Sequence, residues 1–371
     1  GGFSKVYEIE IYPVEPGVDL TTLSGVGQLS PTKMRRGALK YVVPSPSSGM
    51  ESLMELYIMR HISHYTLNRA LGVQIDRIGN ISIIQNLAIG DAAAMVRKSH
   101  HRLHPKDLKR WLWEIVCGVA QLHKHGILHG DIKAGNILLY YDSETSPPIP
   151  AMSTTLHCEE FGQVNVKLND FSLSRMIPDA NLGTRDMPRH ITYTSTHRPI
   201  EVWKSSSYSF SADIWALGCT FYELAYAALL FPDQNAVHKA QEAEANFRVF
   251  ESWALADITP TSTMPIHDKL EADPETAIPF VIPGRGDLLQ TQGLAHSAPV
   301  GIRSLTYRKY NLSKDWTLPQ NALLNDLILG MLDIDPSRRY TVWDILEHEY
   351  FTEMREDLTY GSLAPPYEDR A

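Results

Sequence analysis

Asp131 and Asn136 stand five residues apart in ILHGDIKAGNILL, residues 127–139, with Lys133 between them and an apolar run behind. A helical pattern precedes the stretch and a strand-like run follows it, so both polar side chains fall on one short connection. At that spacing a carboxylate and an amide oxygen can face a single pocket. The carboxylate can orient a hydroxyl nucleophile while the amide binds a divalent metal. A turn with an Asx cap ahead of a strand is the plain alternative. Two other stretches bear on the choice. In VKLNDFSLSR, Asp170 follows an alternating strand and precedes Phe171, where a second carboxylate could bridge magnesium to phosphates. In ALKYV, Lys40 ends an apolar strand, and Glu55 lies in the helical pattern that follows, so an ion pair could set the lysine on phosphate oxygens. Solvated surface groups are the alternative for these two, although an isolated lysine at the end of an apolar strand is less expected outside.

SKVYEIEIY and GALKYVV read as strands, MESLMELYIMRHISH carries apolar residues at helical spacing, and NISIIQNLAI returns to strand character. From HPKDLKRWLWEIVCGVAQLHKHG onward helical patterns dominate, notably SADIWALGCTFYELAYAALL and NALLNDLILGMLDI. The chain is therefore expected to form a strand-rich small lobe followed by a helical large one. Segments rich in turn formers at 12–36, 140–163 and 233–317 read as surface insertions. A net charge of −9, with acidic residues scattered, argues against a nucleic-acid partner. Cys117, Cys158 and Cys219 lie far apart, which signals neither a disulfide framework nor a zinc site and fits a reducing compartment. His100, His101 and His104 read as a solvated loop rather than a metal site. No apolar run approaches the roughly 20 residues of a membrane span, and GGFSKVYEIE lacks the order of a signal peptide. An intracellular protein, cytoplasmic or nuclear and without a membrane partner, is expected.

Taken in order, these stretches resemble a eukaryotic protein kinase from residue 1 to about residue 352. His129, Asp131, Lys133 and Asn136 match the catalytic loop, Asp170 and Phe171 match D-F-G, and Lys40, with Ala38 two before it, matches the strand lysine of the ATP site. Glu55 lies nine residues before His64, as the family's helix glutamate does before its histidine; Glu51 is the alternative. GGFSKVY is similar to the second half of the glycine-rich loop, with Gly1, Gly2, Phe3, Ser4 and Val6 in its positions, and SGVGQLS, with Gly25 and Gly27, is the rival. On the first placement the chain would begin inside that loop, and restoring the first glycine and its strand should tighten ATP binding. Glu201 in THRPIEVW and Arg339 in DPSRRY resemble the family's buried glutamate–arginine pair, and Asp213 in SADIWALG resembles its conserved helix aspartate. Thr194, seven before Glu201, and Lys133 match the serine/threonine class, which disfavours tyrosine specificity. Ile84 would be the gatekeeper, Gln85 to Leu87 the hinge that meets adenine, and Asp91 a ribose contact.

The resemblance implies an α+β, two-lobed fold with a small antiparallel-sheet lobe carrying one main helix over 1–87, a mostly helical lobe over 88–352 and a tail over 353–371. It also implies ATP and Mg2+, with Asn136 and Asp170 as metal ligands, Asp131 as catalytic base and protein substrates, and it leaves room for a regulatory protein on the Glu55 helix. The HRPIE arginine and the long segment before NALLNDLILGMLDI are similar to the cyclin-dependent and MAP-kinase-like group. A pseudokinase scaffold and a kinase of small alcohols remain as alternatives, since HGD…N also resembles the aminoglycoside- and choline-kinase loop. Four positions depart from the family pattern. Gly130 replaces the arginine of H-R-D, Ser172 the glycine of D-F-G and Ser4 a loop glycine, while RPIE stands for A-P-E. Ser172 is expected to restrict the backbone flip of the D-F-G segment. Without an arginine at position 130, a phosphate on Thr184, Thr192, Tyr193, Ser195 or Thr196 would lack its usual partner, Arg185 or Arg198 being the substitutes. Phosphorylation is therefore not expected to be the main switch.

Overall fold

The computed structural model describes residues 4–12, 35–42, 48–77, 79–99, 103–141, 164–177, 193–203, 209–231, 319–333 and 335–357. The small lobe is a four-stranded antiparallel sheet of β1 (Ser4–Ile11), β2 (Arg35–Val42), β3 (Ala70–Ile75) and β4 (Ile81–Asn86) in the order β1-β2-β4-β3. One helix, α1 (Ser48–His61), packs beside it and inserts Glu55, Ile58 and Met59 into the interior. In ladder register Lys40 stands between Val6 and Ile83, and Ala38 between Glu8 and Gln85. Opposed residues share a face of the sheet, so Val6, Lys40, Ala38, Ile83 and Gln85 all look the same way.

After β5 (Gly90–Asp91) and α2 (Ala92–Ser99) the chain enters the large lobe through α3 (Pro105–Lys124). Pro105 is pre-set for the first turn and the His104 ring caps it by accepting from Lys106 N–H. Leu108, Trp111, Leu112, Ile115, Val116, Val119 and Leu122 recur at helical spacing and are all buried. Strands β6 (Ile127–Leu128), β7 (Ile137–Tyr141), β8 (Val164–Leu168) and β9 (Arg175–Met176) form two small antiparallel pairings, β7 with β8 and β6 with β9. The single turn α4 (Ile200–Trp203) precedes α5 (Phe210–Tyr226), which is buried on nearly every side and packs against α2 and α3. Helices α6 (Ala322–Met331), α7 (Val342–Glu347) and α8 (Thr352–Glu356) complete the lobe.

The two lobes meet at an isolated bridge between Leu67 and Leu168, braced by Asn68 N–H to Leu168 O at 2.9 Å and Leu168 N–H to Thr66 O at 2.8 Å. Asn68 Nδ2 reaches both Gln85 Oε1, at 2.8 Å, and Asn169 Oδ1, at 2.9 Å. This buried amide chain fixes the sheet to the residue before Asp170. Among the described residues no helix is long and apolar enough to cross a membrane.

Several expectations need adjusting. Arg35 and Arg36 belong to β2, and Tyr140 and Tyr141 to β7. The proposed insertions at 12–36 and 140–163 are thus shorter at those ends, and their remainder, apart from Tyr12, lies outside the described residues together with 233–317. Helix α8 runs across the expected tail boundary at 353, with Met354 buried against the lobe. Strand β3 escaped the sequence reading, because ALGVQI is short and carries a glycine in its middle.

Candidate active site

Connection 129–136 is suspended from α5 by Asp213. The buried Asp213 carboxylate accepts His129 N–H at 2.7 Å, Gly130 N–H at 3.0 Å and His123 Nε2 at 3.0 Å. Burial would raise the pKa of Asp213, but these donors outweigh it and hold the group below the usual carboxylate range. His129 is pushed below its ordinary value by burial and is neutral. Its Nδ1 accepts Asp131 N–H at 3.2 Å, so Nε2 carries the proton towards Asn169 O, also at 3.2 Å, with the ring packed on Phe171.

Asp131 is consequently fixed at both carboxylate oxygens. Oδ1 accepts the Thr194 N–H and the Thr194 hydroxyl, each at 2.8 Å, while Oδ2 accepts Lys133 Nζ at 2.6 Å and Asn136 Nδ2 at 3.1 Å. Lys133 Nζ also donates to Thr194 Oγ1 at 2.7 Å. Burial pushes the Asp131 carboxyl up, but Lys133 and then Thr194 outweigh it and the net shift is downward, so a charged carboxylate is held in place. Asn136 spends its amide N–H groups on the Asp131 carbonyl oxygen, at 2.8 Å, and on the carboxylate. That leaves its amide oxygen as a hard donor to the cleft.

Across the cleft Lys40 Nζ lies 2.6 Å from Glu55 Oε1 and 2.8 Å from Asp170 Oδ1. Burial lowers the pKa of Lys40, but the two carboxylates outweigh it and keep the ammonium charged. Glu55, 1% exposed, is the glutamate that reaches Lys40, whereas Glu51 stays half-buried in the first turn of α1. Asp170 adopts a left-handed backbone, φ 63 and ψ 71, a strained conformation for a non-glycine residue. Burial would raise its carboxyl, yet Lys40 and the Ser172 hydroxyl, 2.9 Å from Oδ1, bring it down to about 2. The Ser172 bond was not foreseen; it follows from a hydroxyl two residues after a carboxylate. The Asp170 side chain remains 34% exposed to the cleft, and Asn169 N–H to Asn136 O, at 2.9 Å, sets its segment against Asn136. One carboxylate and one amide oxygen suit magnesium, which takes few protein oxygens and completes its shell with phosphate and water. Among the described residues no group of three or more His, Cys, Asp or Glu could hold a metal by itself.

The adenine side requires a correction of register. Ile84 was the expected gatekeeper, but it opposes Leu39 and Gly72 on the other face of the sheet from Lys40. Gln85 shares the Lys40 face, buried and bonded to Asn68, and its backbone lies inside the ladder between Ala38 and Ala70. Gln85 therefore lines the back of the cleft instead of presenting hinge backbone. Leu87 does lie in the connection between β4 and β5, where Ile89 N–H is already bonded to Leu139 O at 2.8 Å. Asp91 Oδ1 caps α2 by accepting Ala94 N–H at 2.7 Å. Ser4 opposes Val42 in β1, and Val6, 60% exposed, opposes Lys40 on the cleft face. Gly1, Gly2 and Phe3, like the rival Gly25 and Gly27, lie outside the described residues.

Glu201 and Arg339 form a buried pair, Nη1 to Oε1 at 2.7 Å and Nη2 to Oε2 at 3.3 Å. Arg339 also donates to Asp333 O, at 2.9 Å, and Ser211 O, at 2.7 Å, and stacks over Trp215. Arg339→Ala takes both guanidinium hydrogen bonds away from the buried Glu201 carboxylate, along with those to Asp333 O and Ser211 O, and should lower unfolding stability by about 3 kcal/mol. Urea unfolding checks this, and a loss below about 1 kcal/mol would mean that the pair behaves as a surface contact.

This cleft, with a lysine tied to a helix glutamate on one wall and a fixed aspartate on the other, defines a phosphotransfer scaffold of the kinase type. The sequence matches the protein kinase domain over residues 29–351, and the chain belongs to that family. It is 27% identical to cyclin-dependent kinase E-1 of Arabidopsis thaliana over 307 residues, which cover 81% of this chain and 56% of that relative. Similarity extends to serine/threonine-protein kinase KIN28 of Saccharomyces cerevisiae, 22% identical over 82% of this chain and 80% of that protein. Mitogen-activated protein kinase 10 of Arabidopsis thaliana is 23% identical over 97% of this chain and 77% of its own length. The chain thus spans little more than half the length of the first of these relatives.

Proposed function

We propose that the chain is a protein serine/threonine kinase that transfers the γ-phosphate of ATP to serine and threonine hydroxyls of protein substrates. The observation that carries this reading is the double hold of Thr194 and Lys133 on Asp131, opposite a Lys40 shared between Glu55 and Asp170. Asp131 accepts the proton of the attacking hydroxyl, and its low basicity fits a group that orients a nucleophile rather than one that strips it early. Lys133 stabilises charge on the phosphoryl in flight, and Thr194 fixes the carboxylate. Lys40, positioned by Glu55, holds phosphate oxygens. Asn136 and Asp170 would hold magnesium, which when bound neutralises phosphate charge.

Val6 and Ala38 would cover the adenine on the Lys40 face, with Gly1, Gly2, Phe3 and Ser4 as the phosphate lid. Backbone near Leu87 would meet the adenine edge and Asp91 the ribose. Leu53 and Tyr57 are exposed on α1, a face suited to a regulatory protein that would set Glu55, as the name of the cyclin-dependent relative suggests. Incubation with γ-labelled ATP and magnesium in two arms, one with a generic protein and one with small alcohols, tests the reading. Label in the protein alone is expected. Label in the alcohols, or ATP binding with no transfer in either arm, would refute it.

A further inference from the structure

Tyr193 has a backbone that tyrosine rarely adopts. Its φ is 66, in the left-handed region, which costs a non-glycine residue about 1–2 kcal/mol. A bulky residue persists there only where its surroundings over-determine it. Here they do. Tyr193 is 3% exposed, its N–H donates to Gly130 O at 2.8 Å, its carbonyl oxygen accepts Arg198, and its hydroxyl donates to Asp213 Oδ1 at 2.9 Å. The carboxylate that suspends the catalytic connection through His129 and Gly130 therefore also grips the segment that carries Thr194. The next residue delivers two hydrogen bonds to Asp131.

Gly130 has the complementary geometry. Its φ is 83, and a Cβ built there would stand 2.6 Å from the Leu173 carbonyl oxygen. The connection therefore runs too close to the turn at Phe171–Leu173 to take a side chain without moving it. Position 130 offers no cation, and Lys133, which this loop does carry, is already engaged by Asp131 and Thr194. Tyr193 itself, expected from the sequence to be a phosphate acceptor, has its hydroxyl buried and engaged.

We propose that Tyr193 is a positioning residue: its hydroxyl on Asp213 and its N–H on Gly130 lock Thr194 onto Asp131, in place of a phosphate on the segment preceding Glu201. This rests on the kinase reading above. Tyr193→Phe removes one oxygen and tests it, assayed in the full chain at a temperature well below unfolding and with the ATP-binding fraction measured for each preparation. The expected result is a kcat per ATP-binding molecule reduced about tenfold, equivalent to about 1.4 kcal/mol, with KM for ATP within about twofold of wild type. Phosphatase-treated wild type should keep most of its activity.

A Phe variant with wild-type kcat per binding molecule would overturn the proposal, because a merely structural role changes only the folded fraction. Loss of more than about tenfold on phosphatase treatment of wild type, restored by rephosphorylation, would also overturn it. If the Phe variant does not fold, Tyr193→Gly, which relieves the left-handed strain while deleting the hydroxyl, is read in its place by the same criteria. A wild type that binds ATP but labels no protein would overturn the kinase reading itself, and this inference with it.

Discussion

Asp131→Asn should lower kcat towards a protein substrate by about 10²–10⁴-fold, the usual contribution of a positioned acid–base group, while ATP affinity stays near wild type. Asparagine is nearly isosteric, so the fold changes little: its one side-chain oxygen can keep the two Thr194 hydrogen bonds, while the amide nitrogen in place of Oδ2 no longer accepts from Asn136, which retains its bond to the residue 131 carbonyl oxygen. What disappears is the second carboxylate oxygen that can receive a proton, together with the charge that holds Lys133 at 2.6 Å. Steady-state kinetics with labelled ATP check both halves. Wild-type turnover in this variant would remove Asp131 from the role given to it.

Asp170→Ala should be nearly as damaging, by a different route. Magnesium-dependent ATP binding is expected to weaken at least about tenfold, equivalent to about 1.4 kcal/mol, and turnover should fall with it. Without magnesium the two proteins should bind ATP alike or the variant slightly better, because Lys40 is then shared with Glu55 alone. Calorimetry with and without the metal separates these cases, and equal loss in both would mean that Asp170 acts on the fold. A pH consequence follows. Because the Asp170 carboxyl is brought from 3.8 to about 2 in the folded state, its pairing stabilises the fold fully above the unfolded value and is lost only as pH falls towards 2. Metal-dependent ATP binding should therefore be flat in pH from neutrality down to about 5, as far as this group is concerned.

Asp131, Asn136 and Asp170 could be read from the sequence because each sits at the end of a strand or on a short connection. There spacing alone nearly fixes direction, as Asp170 after VKLN illustrates, while Lys40, inside β2, stands out as an isolated charge between the apolar residues of ALKYV. The phase of β4 could not be read in the same way. In ISIIQN polar and apolar residues fall on both faces, with Ser82 buried on one and Ile83 and Gln85 on the other, and a run without alternation carries no register. That is why Gln85, and not Ile84, faces Lys40. Tyr193 was misread for a related reason. A tyrosine among Thr and Ser looks like an exposed acceptor, and neither its left-handed φ nor the reach of its hydroxyl to Asp213, 20 residues on, leaves a local trace. The Asn68–Gln85–Asn169 chain joins residues up to 101 apart and is equally silent in sequence.

The most direct test of the account is phosphoamino-acid identification after labelling a protein substrate with γ-labelled ATP and magnesium, with wild type and Asp131→Asn in parallel. The geometry of Lys133 and Thr194 around Asp131 predicts label in phosphoserine and phosphothreonine from wild type and almost none from the variant. Label in phosphotyrosine, or equal labelling by the two proteins, would contradict it.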